Sequence, residues 1–394
     1  MVKFIHAADL HLDSPFKSRS KMPPNIIEAL MDSTYVATKR MFDYAIENKV
    51  DFIILAGDVF DMNNRSLKSE IFLKEQFERL EQHGIFTYMI HGNHDPVVDG
   101  IKTSWPNTVN VFRENVETYQ AMSKTGEPVF IHGFSYYQNE SYESKIDHYP
   151  VNNRNDGIHI GILHGTYSKS KGVGERYTEF NLEDLNSKLY HYWALGHIHM
   201  RQKLSEIPLI NYSGNIQGRH VNESGEKGFL VVEGDHIKLN STFVPVQDIL
   251  FERYDLDVSS VDRMDLYQEL TKFKNKLRAD GKQIVQLNAY YDGDEEISST
   301  NIFEVLNLLQ EDETDVDTFI WVDELKIEYK NEEHNALLND IKRTFGQNDS
   351  LFKESLNTLY MDPKVSRYLP DIEKIDKKTL LEMGEEKLKL LMRK

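Results

Sequence analysis

His91-Gly92-Asn93-His94-Asp95 is the stretch around which this chain is organised. The apolar run from Ile85 to Ile90 precedes it and is typical of a buried strand. The Asn side chain offers an oxygen to a metal ion, and a His beside such an ion can act as a proton donor. A plain turn before Pro96 would explain the same residues, so the rest of the sequence has to decide between the two.

Similar polar stretches follow four other predicted strands. In chain order, the full set is Asp9-x-His11, Gly57-Asp58, Gly92-Asn93-His94-Asp95, His164-Gly165 and Gly196-His197-Ile198-His199. Residues two apart in extended backbone point to the same side, so we expect Asp9 and His11 to face one cluster. The same reasoning pairs His197 with His199. The adjacent glycines let the backbone approach closely or turn tightly.

The donor atoms in these stretches predict a metal site. The chain has no cysteine, so disulfides and thiolate ligands are excluded. Carboxylate, amide and imidazole ligands without thiolates suit Mn²⁺, Fe²⁺ or Zn²⁺. The ligands outnumber what one ion needs, which predicts two ions with a shared carboxylate. Two ions about 3.5–4 Å apart clamp the attacking and leaving oxygens of a phosphoryl displacement.

Bulk properties limit the class of protein. At 394 residues the chain is long enough for about two or three domains. It has no apolar run long enough for a membrane span, and its first residues lack the pattern of a secretory signal. We therefore expect a cytoplasmic location. The net charge of −18 argues against a broad basic surface for nucleic acid. Bound divalent ions can still supply positive charge for a phosphate substrate.

Alternating strands and helices predict the fold of the first part. Predicted strands at Lys3 to Ala8, Phe52 to Ala56 and Ile85 to Ile90 are separated by two helices, one from about Ser33 to Asn48 and one carrying Leu73, Phe77 and Leu80. This order predicts βαβ units and a largely parallel sheet, with the polar stretches at its carboxyl edge. Further predicted strands are Val129–Phe134, Ile158–His164, Tyr192–His197, Leu209–Tyr212 and Phe229–Glu233, and they are expected to form a second sheet packed on the first.

Two further segments are predicted after residue 245. Residues 246–330 contain three predicted strands and a helix with Leu266, Leu270, Phe273 and Leu277, which indicates a small α+β domain. Residues 331–394 are charged and helical. Their apolar stripes are Leu337, Ile341 and Phe345, then Phe352, Leu356 and Leu359, then Leu380, Leu381, Leu388 and Leu391. These stripes could pack on the chain's own core or dock a partner.

The ordered set of motifs resembles the calcineurin-like metallophosphoesterase superfamily over residues 1–245. With the small domain and the tail, the arrangement is similar to SbcD-type DNA repair exonucleases. The variant Asp9-Leu10-His11-Leu12-Asp13-Ser14-Pro15-Phe16 is most similar to the YhaO-type subgroup. The resemblance implies an α/β fold: a two-sheet metallophosphoesterase sandwich flanked by helices, with a small α+β cap domain and a helical C-terminal segment.

The resemblance also implies a role for each motif residue. One ion would be held by Asp9, His11 and His199, and the other by Asn93, His164 and His197, with Asp58 as the bridge. His94 would be the acid that protonates the leaving oxygen. Two Mn²⁺ ions are expected, with Fe²⁺ or Zn²⁺ as alternatives. Many relatives have a glycine at the position of Asp13, and some have a histidine at that of Asp61, where this chain is similar to bacterial SbcD. The loop Gly214-Asn215-Ile216 lacks an expected proline.

Three functions follow from this resemblance. The first is a manganese-dependent DNA exonuclease or endonuclease, the nuclease subunit of a repair complex with an SMC-like ATPase. The second is a phosphoesterase for nucleotides or other small phosphate esters, which would not need the domain after Pro245. The third is a non-catalytic DNA-binding scaffold subunit, against which the complete ligand set argues. The resemblance also allows a homodimer.

Basic residues near the motif loops are predicted to contact DNA phosphates. They are Lys169, Lys171, Arg176, Arg201, Lys203 and Arg219. Solvated charges without a ligand are the alternative explanation for this group.

Overall fold

The computed structural model of the protein describes residues 1–16, 22–61, 65–97, 103–137, 144–153, 156–170, 177–259, 261, 265–291, 297–311, 313, 318–329, 332–361 and 376–392. Its strands are β1 (Val2–Ala7), β2 (Phe52–Ala56), β3 (Phe86–Ile90), β4 (Val109–Val111), β5 (Glu117–Met122), β6 (Pro128–Gly133), β7 (Ile158–His164), β8 (Tyr192–Gly196), β9 (Gln202–Glu206), β10 (Leu209–Tyr212), β11 (Gly228–Gly234), β12 (Leu239–Pro245), β13 (Ile249–Asp257), β14 (Lys282–Tyr291) and β15 (Ile320–Tyr329). Its helices are α1 (Pro24–Glu47), α2 (Leu67–Gln82), α3 (Leu182–Asn186), α4 (Leu266–Leu277), α5 (Ser299–Glu311), α6 (Glu332–Gln347), α7 (Asp349–Met361) and α8 (Lys377–Met392).

Two six-stranded sheets form the α/β sandwich that the sequence predicts. The first has the order β12-β11-β1-β2-β3-β4, and the second has the order β5-β6-β7-β8-β10-β9. Within the first sheet, β1 to β4 are parallel neighbours. In the second sheet, β6, β7, β8 and β10 are parallel neighbours. The predicted fold class is therefore confirmed.

The strand predicted at Phe229–Glu233 lies in the first sheet, which corrects its assignment to the second. It falls within β11, which pairs antiparallel with β1, and β12 extends the same sheet. Hydrophobic alternation identifies a strand but does not say which sheet edge accepts it. The chain returns to the free edge of β1 only after the second sheet is complete.

Apolar side chains from both sheets fill the layer between them. Phe4, Phe52, Ile54, Ile131, Ile160 and Tyr192 are among its buried members. The rings of Phe4 and Phe52 stack with centroids 4.9 Å apart. On the outer face of the first sheet, Met41 of α1 and Phe77 of α2 pack with Ile53 and Leu55 of β2. Because β2 is buried on both faces, it reads as a continuous apolar run.

Helix α1 begins at Pro24, nine residues before the predicted start at Ser33. Proline is tolerated at the first helical position, where its missing N–H is not needed. The added turns bury Ile26 and Leu30 against Phe251 and Trp321, far along the chain. These tertiary contacts, which no local pattern records, fix the early start of the helix.

The chain divides into two compact units. The first comprises Met1–Tyr254, Tyr267–Leu287 and Ser299–Leu325, and the second comprises Asp255–Leu266, Asn288–Ser298 and Lys326–Lys394. Strands β13, β14 and β15 form a third sheet in that order. These units do not test the predicted division into residues 1–245, 246–330 and 331–394, which stays a prediction.

Helix α5 was not expected from the sequence. Its apolar residues do not lie on one buried face: Leu309 is buried, whereas Phe303 is 55% exposed and Leu308 is 43% exposed.

In the part of the chain that the structure describes, no helix combines the length and apolarity needed to cross a bilayer.

Candidate metal centre

The five polar stretches meet at the carboxyl ends of parallel strands. β1, β2 and β3 supply the loops of the first sheet, and β7 and β8 supply those of the second. The first two loops continue to pair beyond their strands. The Asp9 amide donates to the Gly57 carbonyl at 3.0 Å, and the His11 amide donates to the Asp58 carbonyl at 3.0 Å. This pairing brings the Asp9-x-His11 loop beside Asp58, the predicted bridge.

The backbone of Asp9-x-His11 is not extended, so the reason given for its geometry was wrong. Asp9 and His11 have φ values of 54° and 45°, both in the left-handed region. Leu10 between them is buried in the core. A left-handed non-glycine residue costs about 1–2 kcal/mol, and buried contacts on both sides hold it here. His197, with a φ of 96°, departs from extended geometry in the same way.

One group of predicted ligands consists of Asp9, His11 and His199. Their ligand atoms lie within 4.8 Å of one another. The Nε2 atoms of His11 and His199 are 3.0 Å apart, and Nε2 of His199 is 3.9 Å from Oδ1 of Asp9. Two imidazole nitrogens that converge this closely can share one proton or bind one cation. The donor set therefore fits a divalent metal ion.

A second group lies around His164. Its Nε2 is 3.1 Å from Oδ1 of Asn93 and 3.3 Å from Oδ2 of Asp58. The same Asp58 oxygen is 3.8 Å from Nε2 of His11. Asp58 thus lies between the two groups, in the position that a bridging carboxylate requires. The individual ligand roles stay predictions.

His197 joins the second group through its ring. The ring centroid is 5.3 Å from that of His164 and 5.4 Å from that of Tyr177. The His197 amide donates to both carboxylate oxygens of Asp9 at 3.1 Å. The structure therefore brings all seven predicted ligands to one edge of the sandwich.

His94 lies at the same edge. Its ring is edge-on to that of His11, with centroids 5.0 Å apart, and its backbone amide donates to Oδ1 of Asp58 at 2.9 Å. His94 also forms a group with His11 and Asp61 whose ligand atoms lie within 4.8 Å. Its position is compatible with the predicted role as an acid, and also with a role as a ligand.

Glycine is required at two positions because the backbone passes so close to ligand side chains. A Cβ on Gly92 would lie 2.3 Å from Oδ1 of Asp58. A Cβ on Gly57 would lie 2.3 Å from Nδ1 of His164, and Gly57 has a φ of +91°. Any side chain at either position would displace a ligand.

Asp95, a motif residue to which the sequence assigned no role, ties two loops together. Its buried carboxylate accepts hydrogen bonds from the amide of Gly92 at 2.7 Å and from that of Val59 at 2.9 Å. It also lies 3.1 Å from Nδ1 of His91. A carboxylate with several N–H donors fixes the Asn93-His94 turn against the loop of Asp58.

Glu223 is a site residue that sequence reasoning missed. It ends the short 3₁₀ turn Val221–Glu223, and its Oε1 lies 2.7 Å from Nδ1 of His199. Twenty-four residues separate it from His199, and it is part of no motif. No local signal in the sequence could have found it.

Charges in the cluster shift the pKa values of its members. Burial lowers the pKa of His164, but the Asp58 carboxylate outweighs that effect and raises it to about 9. Burial raises the pKa of Asp58, but the imidazoles, His164 first, bring it well below its usual range. Burial, followed by the Arg219 charge, lowers the pKa of His11.

Among the four predicted DNA contacts that lie within the described residues, Arg219 alone reaches the centre. Its Nη2 is 3.1 Å from Nδ1 of His199, and its Nη1 is 3.3 Å from Oγ of Ser14. The Arg201 guanidinium lies over the Phe243 ring at 3.5 Å, and Lys203 pairs with Glu206 at 2.8 Å. Lys169 is exposed, while Lys171 and Arg176 lie outside the described residues.

Asp13 and Asp61, which differ from the residues of some relatives, lie in different surroundings. Asp13 accepts hydrogen bonds from the Tyr35 hydroxyl and from the Ser66 amide, so it fixes the loop after β1 to α1 and to the start of α2. Asp61 lies 3.9 Å from Nη1 of Arg219 and accepts from Ser14 at 3.4 Å. Asp61 thus faces the centre, whereas Asp13 is part of its support.

Comparison with known proteins agrees with this geometry. Residues 2–201 match the family model of the calcineurin-like phosphoesterases. The chain belongs to this family. The match covers all five polar stretches, from Asp9 to His199. Calcineurin-like phosphoesterases carry a dinuclear metal site, and the groups around His11 and His164 supply its candidate ligands.

Several curated relatives are similar over most of the chain. A protein of Bacillus subtilis (strain 168) named as the uncharacterized metallophosphoesterase YhaO is 39% identical over 351 residues, which is 87% of this chain and 85% of that protein. The DNA double-strand break repair protein Mre11 of Methanocaldococcus jannaschii is 23% identical over 67% of this chain and 66% of its own length. Mre11 of Sulfolobus acidocaldarius is 24% identical over 73% of this chain and 74% of its own length. The resemblance predicted from the motifs is confirmed.

Proposed function

We propose that this chain is a metal-dependent phosphodiesterase that cleaves DNA, with two Mn²⁺ ions as its cofactors and DNA repair as its setting. The observation that carries the proposal is the position of Asp58 between two groups of nitrogen and oxygen ligands. The relatives named as DNA double-strand break repair proteins supply the substrate class. When bound, the two ions would supply Lewis-acid polarisation of the phosphate and an activated water.

The chain's own residues have separate tasks in this reaction. His94 holds the proton that the leaving oxygen receives. Asp95 keeps His94 in place through its hydrogen bonds to the amides of Gly92 and Val59. Arg219 places a positive charge next to His199, where it can stabilise the charge of a substrate phosphate. These positions confine the phosphate to the carboxyl edge of the sandwich.

A small phosphate ester is the second candidate substrate, and one observation favours it. Arg201 and Lys203, two of the predicted DNA contacts, are engaged with Phe243 and Glu206. With a net charge of −18, the chain has no excess of basic residues to neutralise DNA phosphates outside the metal centre, so little binding energy comes from counterion release. A compact ester needs only that centre and Arg219.

The metal and the substrate are tested together. Metal-free protein is assayed on single-stranded DNA, double-stranded DNA and bis(p-nitrophenyl) phosphate, with Mn²⁺, with Mg²⁺ and with EDTA. We expect DNA cleavage with Mn²⁺, little with Mg²⁺ and none with EDTA, because the ligand set combines imidazoles with oxygens. Robust cleavage in EDTA would contradict the metal assignment. Cleavage of the small diester alone would favour the second candidate.

We propose in addition that an SMC-like ATPase supplies the grip on long DNA that so acidic a chain lacks. Helices α6, α7 and α8 of the second compact unit are the proposed docking segment. Within this unit, Lys377 at the start of α8 pairs with Asp349 of α7 and lies over the ring of buried Phe352. Leu359 and Met383 are 47% and 61% exposed. A homodimer and a cytoplasmic location complete the proposal.

A chain that ends at Tyr329 tests the docking segment. We expect it to keep Mn²⁺-dependent activity on short substrates and to melt within a few degrees of the full-length protein, but to lose co-purification with the ATPase. The physical reason is that exposed side chains such as Leu359 contribute little to the chain's own core. Aggregation or a much lower melting temperature would instead make the segment part of the core.

A further inference from the structure

Glu223 places a buried carboxylate behind the predicted ligand His199. Its side chain is 8% exposed. One oxygen, Oε2, accepts hydrogen bonds from Nδ2 of Asn215 and from the backbone amide of Arg219, both at 2.9 Å. The other oxygen, Oε1, lies 2.7 Å from Nδ1 of His199. The carboxylate is thus fixed on one side and directed at the imidazole on the other.

Nδ1 of His199 has two neighbours, one a hydrogen-bond acceptor and the other a hydrogen-bond donor. Glu223 at 2.7 Å can only accept a hydrogen bond, whereas the Arg219 guanidinium at 3.1 Å can only donate one. A neutral ring nitrogen serves one of them, and the shorter contact to a carboxylate is the stronger one. Nδ1 therefore carries the proton. The lone pair of Nε2 is left to face His11 and Asp9.

We propose that Glu223 is a positioning residue that sets the tautomer of His199 and directs its Nε2 lone pair at the metal position. Arg219 neutralises the carboxylate, with Nη2 3.3 Å from Oε1 of Glu223. Lys227 fixes the backbone of His199, because its Nζ donates to the His199 carbonyl at 3.1 Å. This inference rests on the metal-ligand role of His199 in the proposed function.

The variant Glu223→Gln tests the tautomer because its amide has only one favourable orientation. The position of Oε2 accepts two N–H donors, so the amide oxygen must remain there. The amide NH₂ then replaces Oε1 and donates to Nδ1 of His199. The proton moves to Nε2, where it blocks the lone pair. Glu226→Gln, at an exposed carboxylate three residues along the chain, is the matched control.

Two measurements read the effect. In metal-free protein with ¹⁵N-labelled histidine, NMR assigns the His199 tautomer, with His199→Gln identifying the signal. We expect protonated Nδ1 in the wild type and in Glu226→Gln, and protonated Nε2 in Glu223→Gln. Calorimetric titration with Mn²⁺ should show one of two binding steps weakened about 10–100-fold in Glu223→Gln alone. A residue that only stabilised its loop would lower the melting temperature without moving the tautomer.

The following results would contradict the proposed role of Glu223 or the proposed function. Protonated Nε2 at His199 in the wild type overturns the proposal, even where Glu223→Gln does not fold. The same tautomer and the same Mn²⁺ affinities in Glu223→Gln and wild type also overturn it. If the wild type binds no Mn²⁺, the proposed function fails, while the NMR comparison still decides whether Glu223 sets the tautomer.

Discussion

Asp58→Ala is expected to remove bound metal and activity together. The Asp58 carboxylate lies 3.3 Å from Nε2 of His164 and 3.8 Å from Nε2 of His11, so its loss takes the shared ligand from both groups. The fall in activity should exceed the roughly 10²–10⁴-fold that loss of a general acid costs. Activity should reach the level of the buffer blank.

The variant should still fold, because the positive charge on His164, which loses its carboxylate partner, can be removed by deprotonation. The Asp58 carboxylate raises the pKa of His164 to about 9 against the effect of burial. Without that carboxylate, burial lowers the pKa of His164 and the ring becomes neutral. The His94 amide loses its acceptor, which costs about 1–3 kcal/mol. The melting temperature should fall by several degrees without loss of the fold.

Metal content by elemental analysis, the melting temperature and cleavage rates are measured on the same samples. Asp32→Ala is the matched control, because Asp32 is a surface carboxylate whose ion pair is with Lys68 and not with a predicted metal ligand. It should retain two ions and full activity. If Asp58→Ala keeps both ions, Asp58 is not the bridge.

The fold and the ligand set could be predicted because they depend on local patterns. Buried parallel strands such as β2 read as continuous apolar runs, and their carboxyl ends carry the polar motifs. Parallel pairing of β1 with β2 places the loops of His11 and Asp58 side by side, and packing of the second sheet on the first brings His164 to them. Strand order therefore predicts which loops meet, although it does not predict the backbone that directs their side chains.

Features set by distant contacts could not be predicted. Helix α1 begins early because Ile26 meets Phe251, and β11 joins the first sheet because β1 has a free edge. Asp9 and His11 converge through left-handed backbone that alternation does not encode. Glu223 reaches His199 across 24 residues of chain. In each case the partner is chosen by packing, and no spacing in the sequence records it.

His94→Gln is expected to keep the fold and both ions but to lose roughly 10²–10⁴-fold in turnover, the typical value of general acid–base catalysis. The hydrogen bond from His94 to Asp58 comes from the backbone amide, so the substitution leaves it intact. Glutamine cannot deliver a proton at neutral pH. His83→Gln, on the exposed C-cap of α2, is the control for losing an imidazole.

The same variant separates an acid from a ligand. His94 lies with His11 and Asp61 in a group whose ligand atoms are within 4.8 Å, so the geometry alone fits both roles. An acid affects turnover and leaves metal content at two ions per chain, because Asp9, Asp58 and the other imidazoles still bind them. A ligand loses metal in proportion to activity, and excess Mn²⁺ restores the rate by mass action. Elemental analysis beside rates at rising Mn²⁺ therefore assigns His94: rescue by Mn²⁺ makes it a ligand, and a rate that stays low in a fully loaded site makes it the acid.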